Sequence, residues 1–382
     1  MIIGINGNEA NVTHRVGIGQ YGYELLKGLR RLATPALRFC VYLEKAPLPD
    51  MPRETGNWLY QVLPGGNLWT LTTLQGELLK AKFSGRAPDL FFTPTHYAPL
   101  ICPMPSVIAV MDLSFTVFPQ YFKKKDYYQL KYWTLLSAKF ARKILTISEF
   151  SKKAILEKYG FSEDKVRVVY PGYDRDRFNP QVAGQTEKIR EVKEKYRTGE
   201  RYLFYLGTLQ PRKNLVRLIE AFKQLEDKNV RLVVAGMIRE GRGGWMYSQI
   251  FGKVKELELN DRVIFTGFVS DADVPLLLAG SQAYLLPSLY EGFGIPAVEA
   301  MATGVPLVVS RVTSLPEICG PAPIFIQNPL QTDEITLRLR EVLNLSPQER
   351  QKRIKLGLRQ AKRYNWEVAA KQALEILIEA KG

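Results

Sequence analysis

Two short stretches hold the residue types best suited to chemistry. Arg212 and Lys213 lie in Thr208-Leu-Gln-Pro-Arg-Lys-Asn214, a loop between the strand-like run Leu203-Phe-Tyr-Leu-Gly207 and a helix. An Arg grips two phosphate oxygens at once, and a Lys adds a mobile point charge. The alternative for this segment alone is a pair of solvated loop cations. The second stretch is Glu291-Gly-Phe-Gly-Ile-Pro-Ala-Val-Glu299, between the apolar run Ala283-Tyr-Leu-Leu-Pro287 and a short helix from Ala297 to Thr303. A junction of this kind is where an open α/β sheet binds ligands. Gly292 and Gly294 let the backbone approach a bulky group, and the N–H groups of the helix start favour an anion. Glu291 and Glu299 would repel a bare phosphate, so they read as groups that bind hydroxyls attached to it. A diphosphate flanked by two sugars fits this corner, with Arg212 and Lys213 supplying the positive charge.

Positioning these loops requires strands that alternate with amphipathic helices, which predicts α/β architecture with mostly parallel sheets. In the first half the expected strands are Ile2–Asn6, Phe39–Leu43, Asp89–Phe92, Val107–Met111, Lys143–Ile147 and Val166–Val169. Helices are expected over Gly19–Ala33, Asp126–Ala141 and Glu149–Tyr159, the last capped by Ser148. Tyr170-Pro-Gly-Tyr-Asp-Arg-Asp-Arg-Phe-Asn-Pro180 and the polar segment to about Glu200 read as a hinge. The alternation then restarts with Tyr202–Leu206, Asn214–Leu225, Arg231–Ala235, Met246–Leu257, Val263–Phe265, Asp271–Leu278, Ala283–Leu286 and Leu307–Val309. A helical region runs from about Pro347 and is interrupted near Tyr364-Asn-Trp366. The expected domains are therefore residues 1–175, residues 176–360, and a C-terminal helix over 361–382 that packs back on the first.

At 382 residues the chain has room for two ordinary domains, and 46% hydrophobic with 24% charged residues is a globular composition. No run approaches the ~20 apolar residues of a transmembrane helix. Met1-Ile-Ile-Gly-Ile-Asn6 starts as a strand, so no signal peptide is expected. Cys40, Cys102 and Cys319 are isolated and odd in number, as expected of buried thiols in a reducing cytoplasm. The formal net charge is +15, and residues 1–173 carry 22 Lys and Arg against 13 Asp and Glu, so the excess is densest in the first half. A phosphorylated substrate or an anionic membrane surface explains it better than nucleic acid, for which no binding motif is present.

Three patterns are decoys. Gly17-Ile-Gly-Gln-Tyr-Gly22 matches G-x-G-x-x-G, and Glu44 ends the second strand, but a polar loop from Gly7 to Val16 replaces the tight turn that dinucleotide binding needs. The glycines read better as a loop facing a phosphate, which leaves an NAD-dependent enzyme as a minor alternative. Asp174-Arg-Asp176 lies in the hinge, and Asp271-Ala-Asp273 begins a helix with Asp271 as its cap, so neither reads as a metal-binding Asp-x-Asp. No metal and no cofactor are expected.

Gly207-Thr-Leu-Gln-Pro-Arg-Lys-Asn-Leu215, Ala235-Gly236 with Gly244-Trp245, Thr266-Gly-Phe-Val269, Pro287 to Ala302 and Ser314-Leu-Pro-Glu317 together resemble the group-1 (family 4) retaining glycosyltransferases of GT-B fold, nearest their bacterial mannosyltransferase branch. Gly17-Ile-Gly19, Met111-Asp-Leu-Ser114, Ile147-Ser-Glu-Phe-Ser-Lys152 and Tyr170-Pro-Gly-Tyr-Asp174 extend the resemblance over nearly the whole chain. It implies two doubly wound Rossmann-like domains facing each other across a cleft. It also implies that Glu291 bonds the donor sugar and Glu299 the ribose, while backbone N–H groups near Phe293, Gly294 and Ile295 join Arg212 and Lys213 at the diphosphate. Phe268 and Val269 would flank the base, and Gly17, Gly19 and Gly207 would border the phosphates.

One position departs from the family. Relatives commonly carry His before the Asp of Asp-Leu-Ser, and here it is Met111. His96, in Thr93-Pro-Thr-His-Tyr-Ala-Pro99, and Asp112 are the remaining first-half candidates for catalysis, and His14 in the early loop is a candidate to face the acceptor. The resemblance implies transfer of a hexose, mannose from GDP-mannose or glucose from UDP-glucose, with retention and without metal, to a saccharide or lipid-linked acceptor. Tyr121-Phe-Lys-Lys-Lys-Asp-Tyr-Tyr128 and Lys139-Phe-Ala-Arg-Lys143 interleave cations and aromatics, as for docking on an anionic membrane at the cytoplasmic face, or as a solvated helix surface. A non-catalytic partner that binds a sugar nucleotide is the other alternative.

Overall fold

Strands rich in Val, Ile, Leu and Phe with no polar alternation must be covered on both faces, and helices between parallel strands provide that cover. The computed structural model describes the backbone of residues 1–236 and 244–382, and the side chains of all of these except 244–247. Two units result, one comprising Met1–Val117, Lys124–Gly172 and Asn365–Gly382, the other Phe118–Lys123 and Tyr173–Tyr364.

The first unit has a seven-stranded parallel sheet: β1 (Ile2–Asn6), β2 (Arg38–Leu43), β3 (Trp58–Val62), β4 (Leu90–Thr93), β5 (Ser106–Ala109), β6 (Lys143–Thr146) and β7 (Val166–Val168), in the order β3-β2-β1-β4-β5-β6-β7. Its helices are α1 (Ile18–Arg31), α2 (Gln75–Phe83), α3 (Ser114–Val117), α4 (Lys124–Phe140) and α5 (Glu149–Tyr159). Ser148 caps α5 by accepting from the Ser151 amide at 3.1 Å. β3 was not foreseen, because Trp-Leu-Tyr-Gln-Val alternates only weakly; Trp58 is fully buried against Phe39, with ring centroids 5.2 Å apart.

The second unit restarts the pattern with α6 (Thr186–Lys195), β8 (Arg201–Leu206), α7 (Leu215–Lys223), β9 (Val230–Ala235), α8 (Gly244–Glu256), β10 (Val263–Gly267), α9 (Asp273–Ala279), β11 (Ala283–Leu286), α10 (Ile295–Thr303), β12 (Leu307–Ser310), α11 (Leu315–Cys319), β13 (Ile324–Ile326), α12 (Thr332–Leu343) and α13 (Pro347–Ala361). Among the described residues its sheet runs β10-β9-β8-β11-β12-β13, all parallel. The side chain of Trp245, part of the resemblance, lies outside the described residues.

Two expectations are corrected here. The polar segment before Glu200 contains α6, whose Val192 is buried and whose flanking Lys195 and Tyr196 both bond Asp273 at 2.7 Å, so it is folded into the second unit. Asp271 does not cap α9: that helix starts at Asp273, whose amide donates to Ser270 Oγ at 3.3 Å, while Asp271 stays exposed beside Arg177. The final helix, α14 (Trp366–Lys381), belongs to the first unit. Its buried residues Ala369, Ala370, Ala373, Leu377 and Ala380 recur at helical spacing, and Trp366 meets Tyr21 of α1 edge-on at 5.9 Å. Lys143 at the start of β6 holds its far end, 2.8 Å from Glu379.

Candidate functional site

In the second sheet the strand order reverses between β8 and β11, whose partners on the outer sides are β9 and β12. Loops leaving two such strands diverge to opposite faces and open a crevice at their carboxyl ends. The loop after β8 carries Arg212 and Lys213, and the loop after β11 carries Glu291. The backbones of these two loops are joined, with the Leu289 amide donating to the Arg212 carbonyl at 2.7 Å.

The side chains converge as well. Lys213 Nζ lies 2.6 Å from Glu291 Oε1, and Arg212 Nη1 lies 3.5 Å from Oε2. Arg212 also donates from Nη1 to the Tyr290 carbonyl at 2.9 Å and from Nε to Gln210 Oε1 at 3.0 Å. Ser288 Oγ donates to Glu291 Oε1 at 2.6 Å. Glu291 is buried, and burial by itself would raise its pKa. The Lys213 and Arg212 charges, with the hydrogen bonds from Lys213 and Ser288, outweigh that and hold it below the ordinary glutamate value. The groups that the sequence assigns separately to phosphate and sugar thus form one ion cluster, two cations around one carboxylate.

Three residues that support this cluster were not singled out from sequence. Asn214, at φ +63, ends the clamp loop; its buried amide donates to the carbonyls of Pro287 (3.1 Å) and Pro329 (2.6 Å), tying three loops together. Asn tolerates that left-handed backbone better than most residues, which is the one signal the sequence offered. Thr313 Oγ1 accepts from the Glu291 amide at 3.0 Å, and buried Ser314 donates to the Glu291 carbonyl at 2.9 Å. Ser314 opens the Ser-Leu-Pro-Glu motif; nothing local marks Thr313.

The corner beyond Glu291 is shaped by Gly294, the N-cap of α10 at φ +92, where a side chain would be strained and a Cβ would meet Leu315 at 3.1 Å. Phe293 is buried edge-on to Tyr364, with centroids 5.2 Å apart, so only its backbone is placed for a ligand. Pro296 has no N–H, and the Ala297 amide is used by the Gly294 carbonyl, which narrows the anion-binding amides of the first turn to those around Gly294 and Ile295. Glu299, one turn along α10, is half-buried, and loss of water pushes its carboxyl up to about 7. Arg177 counters that rise while Asp271 and Asp174 add to it. The buried Tyr284 hydroxyl donates to the Leu206 carbonyl at 3.2 Å, and burial raises its pKa. Gly207 follows β8 beside the Tyr205 hydroxyl, and beyond β10 Phe268 is exposed while Val269 is buried.

The first-unit candidates occupy the matching place in their own sheet. Its order reverses at β1 and β4; His96 follows β4, and Asp112 follows the adjacent β5. His96 is only 9% exposed, and its Nδ1 has no hydrogen-bond partner among the described residues. Burial lowers its pKa, and the charge of Asp112 partly offsets that. Asp112 Oδ1 accepts from the Ser114 amide at 2.8 Å, which fixes the Asp-Leu-Ser turn. His14 is exposed. Gly17 caps α1 at φ +54 with open space around it, whereas a Cβ on Gly19 would lie 2.8 Å from the Glu9 carbonyl. Gly19 is thus already explained by contact with its own loop. That loop includes a short turn at Asn8–Ala10, so β1 and α1 are not joined by a tight dinucleotide-binding turn.

The sequence profile of a family described as glycosyl transferases group 1 matches residues 185–360, and that of glycosyltransferase family 4 matches residues 17–177. The chain is 30% identical over 270 residues to the O-antigen chain mannosyltransferase B of Escherichia coli, covering 70% of this chain and 69% of that protein. It is 29% identical to an O-antigen chain mannosyltransferase of Salmonella typhimurium, covering 81% and 82% of the two chains. Against the mannosylfructose-phosphate synthase of Agrobacterium fabrum the match is 32% over 41% of this chain and 35% of that one. Among solved structures it is similar to the sucrose-phosphate synthase of Thermosynechococcus elongatus (TM-score 0.78, 18% identity, covering 99% and 98%). It is equally similar to HepE of Anabaena in complex with UDP-glucose (TM-score 0.77, 18% identity, covering 99% of each). At these identities the structural likeness speaks to the fold.

Proposed function

This chain belongs to the group-1 glycosyltransferases of GT-B fold, and we propose that within them it moves a hexose from a nucleoside diphosphate to a saccharide or lipid-linked acceptor, with retention and without a metal. The observation that carries this reading is the convergence of Arg212, Lys213 and Glu291 at the β8/β11 switch point. In the transfer, the bond from the anomeric carbon to the diphosphate oxygen breaks, and the acceptor hydroxyl oxygen bonds the same face of that carbon. Its proton passes to the departing phosphate. Negative charge grows on the leaving group, and on this reading Arg212, Lys213 and the amides around Gly294 stabilise it. Glu291 then exchanges Lys213 for sugar hydroxyls, and Glu299 takes the ribose.

Mannose is the sugar favoured by the named activities of the two O-antigen relatives, with GDP-mannose as donor; glucose from UDP-glucose is the second choice, suggested by the HepE complex. A thermal-shift panel of GDP, UDP, GDP-mannose, UDP-glucose and NAD decides both class and base. A shift with NAD and none with the others overturns the reading. Activity that survives EDTA is expected; its loss, restored by a divalent cation, overturns the metal-free step. Donor hydrolysis by the chain alone separates an enzyme from a non-catalytic binding partner.

We further propose that α4 docks the protein on an anionic membrane. Tyr128 stacks on Tyr132 (6.1 Å, 8° between planes), Lys131 lies 5.6 and 5.5 Å from the Tyr127 and Tyr132 rings, and Lys123, Lys124, Lys125 and Phe140 are exposed. Among the described residues no helix is long and apolar enough to cross a membrane. Flotation with liposomes that does not depend on anionic lipid would remove this idea.

A further inference from the structure

We infer that Thr313 is a positioning residue for sugar transfer, holding the Glu291 peptide in register through its hydroxyl while its own backbone is strained. The inference rests on the reading of Glu291 as the residue that faces the donor sugar. Thr313 has φ +53. Of the non-glycine residues with positive φ among the described residues (Leu68, Arg197, Asn214, Glu258 and Thr313), it is the only β-branched one. A β-branched residue in the left-handed region is an outlier, because its Cβ substituents crowd the backbone. Strain of this kind persists only where the surroundings over-determine the conformation, and it concentrates at functional sites.

The surroundings here converge on Glu291. Thr313 takes the N–H of Glu291 and Ser314 takes its C=O, at 3.0 and 2.9 Å. Two successive residues of the loop after β12 therefore pin both polar groups of the residue whose carboxylate is held by Ser288 and Lys213. The positive φ at Thr313 turns that loop into α11 where these two hydroxyls meet one residue on the neighbouring strand's loop. Ser314 is fully buried and Thr313 half-buried, so the Thr313 hydroxyl is the half of the clasp nearer solvent. Without it the peptide preceding Glu291 can rotate and carry the carboxylate with it. The two hydroxyls reach the cations only through the Glu291 carboxylate that Lys213 and Arg212 hold, so nucleotide affinity is predicted to change much less than kcat.

The test uses the full chain and three variants, reading nucleoside diphosphate release from GDP-mannose and UDP-glucose, affinity for GDP and UDP, and Tm. Thr313→Ser keeps the hydroxyl and sheds the branch, and is expected to retain wild-type kcat. Thr313→Gly removes strain and hydroxyl together; Tm is expected to hold while kcat falls roughly ten- to a hundred-fold, as for a reacting group displaced by about 1 Å, with nucleotide affinity changing much less. Thr313→Val keeps the strain without the bond and should lose both Tm and kcat. Wild-type kcat in Thr313→Gly overturns the inference alone. So does a loss of kcat that tracks equal losses of Tm and nucleotide affinity, because that is the signature of a structural role only. A wild-type chain that releases no diphosphate from either donor overturns the transferase reading and this inference with it.

Discussion

Lys213 Nζ and Glu291 Oε1 are 2.6 Å apart, and both side chains are mostly buried, at 13% and 6% exposure. A cation suited to phosphate is thus paired with the carboxylate suited to sugar. Removing Lys213 leaves the buried Glu291 carboxylate to Arg212 at 3.5 Å and Ser288 at 2.6 Å. Lys213→Met is expected to lower stability, by less than the ~3–5 kcal/mol of a fully unpaired buried charge. Lys213→Met with Glu291→Gln should recover most of that loss without recovering activity. Urea denaturation of the single and double variants checks the first part, and diphosphate release checks the second.

Arg212→Ala combined with Lys213→Ala should abolish most turnover, because the proposed clamp loses both of its positive charges. Near-normal turnover in that variant would refute the clamp. Glu291→Ala has a different expected profile: kcat falls far more than affinity for GDP or UDP. A collapse of nucleotide affinity instead would move Glu291 from the sugar to the nucleotide.

Glu299 links the site to pH. Its carboxyl titrates near 7 in the folded chain against 4.5 for an ordinary glutamate, mainly because burial disfavours the charge. The folded state therefore holds more protons than the unfolded state between those values, so stability falls as pH rises through that window and levels off above about 7. Glu299→Gln removes the titration and should flatten Tm against pH between 5 and 8. If the ribose hydroxyls bind the carboxylate, affinity of the wild type for UDP or GDP should rise over the same range, and pyrophosphate affinity should not. Isothermal titration at several pH values distinguishes them.

His96 carries a buried ring nitrogen with no partner among the described residues, a cost of about 1–3 kcal/mol for an unsatisfied polar group. His96→Phe, in a pocket already walled by Phe115 and Tyr97, is expected to raise Tm while lowering turnover. A variant that gains stability and keeps full turnover would reduce His96 to a packing residue.

Much of the fold was legible because buried parallel strands are continuous apolar runs: Ala283–Leu286 and Ile2–Asn6 were read with their observed limits. Several of the elements missed have little periodic signal, such as β3 at a sheet edge, β13 with three residues, and α6, whose charged surface hid a single buried face at Val192. In contrast, α12 was missed although its buried Ile335, Leu339 and Val342 recur at helical spacing. The two candidate loops were legible from Gly, Arg, Lys and Glu in a strand–loop–helix setting, a local pattern.

Sequence alone supplied the residue types and their local setting: two cations, a glycine corner and two carboxylates in strand–loop–helix junctions. Tertiary structure decided which of these groups touch. Lys213 and Glu291 are 78 residues apart and Glu291 and Thr313 22 apart, and their pairing depends on β8, β11 and β12 lying side by side in one sheet. Strand order is set by packing of the whole sheet and its helices, so no local spacing encodes it. The same holds for the Glu299 carboxyl, whose proton affinity comes from the water excluded around it and from Arg177, Asp271 and Asp174 brought in from elsewhere in the unit.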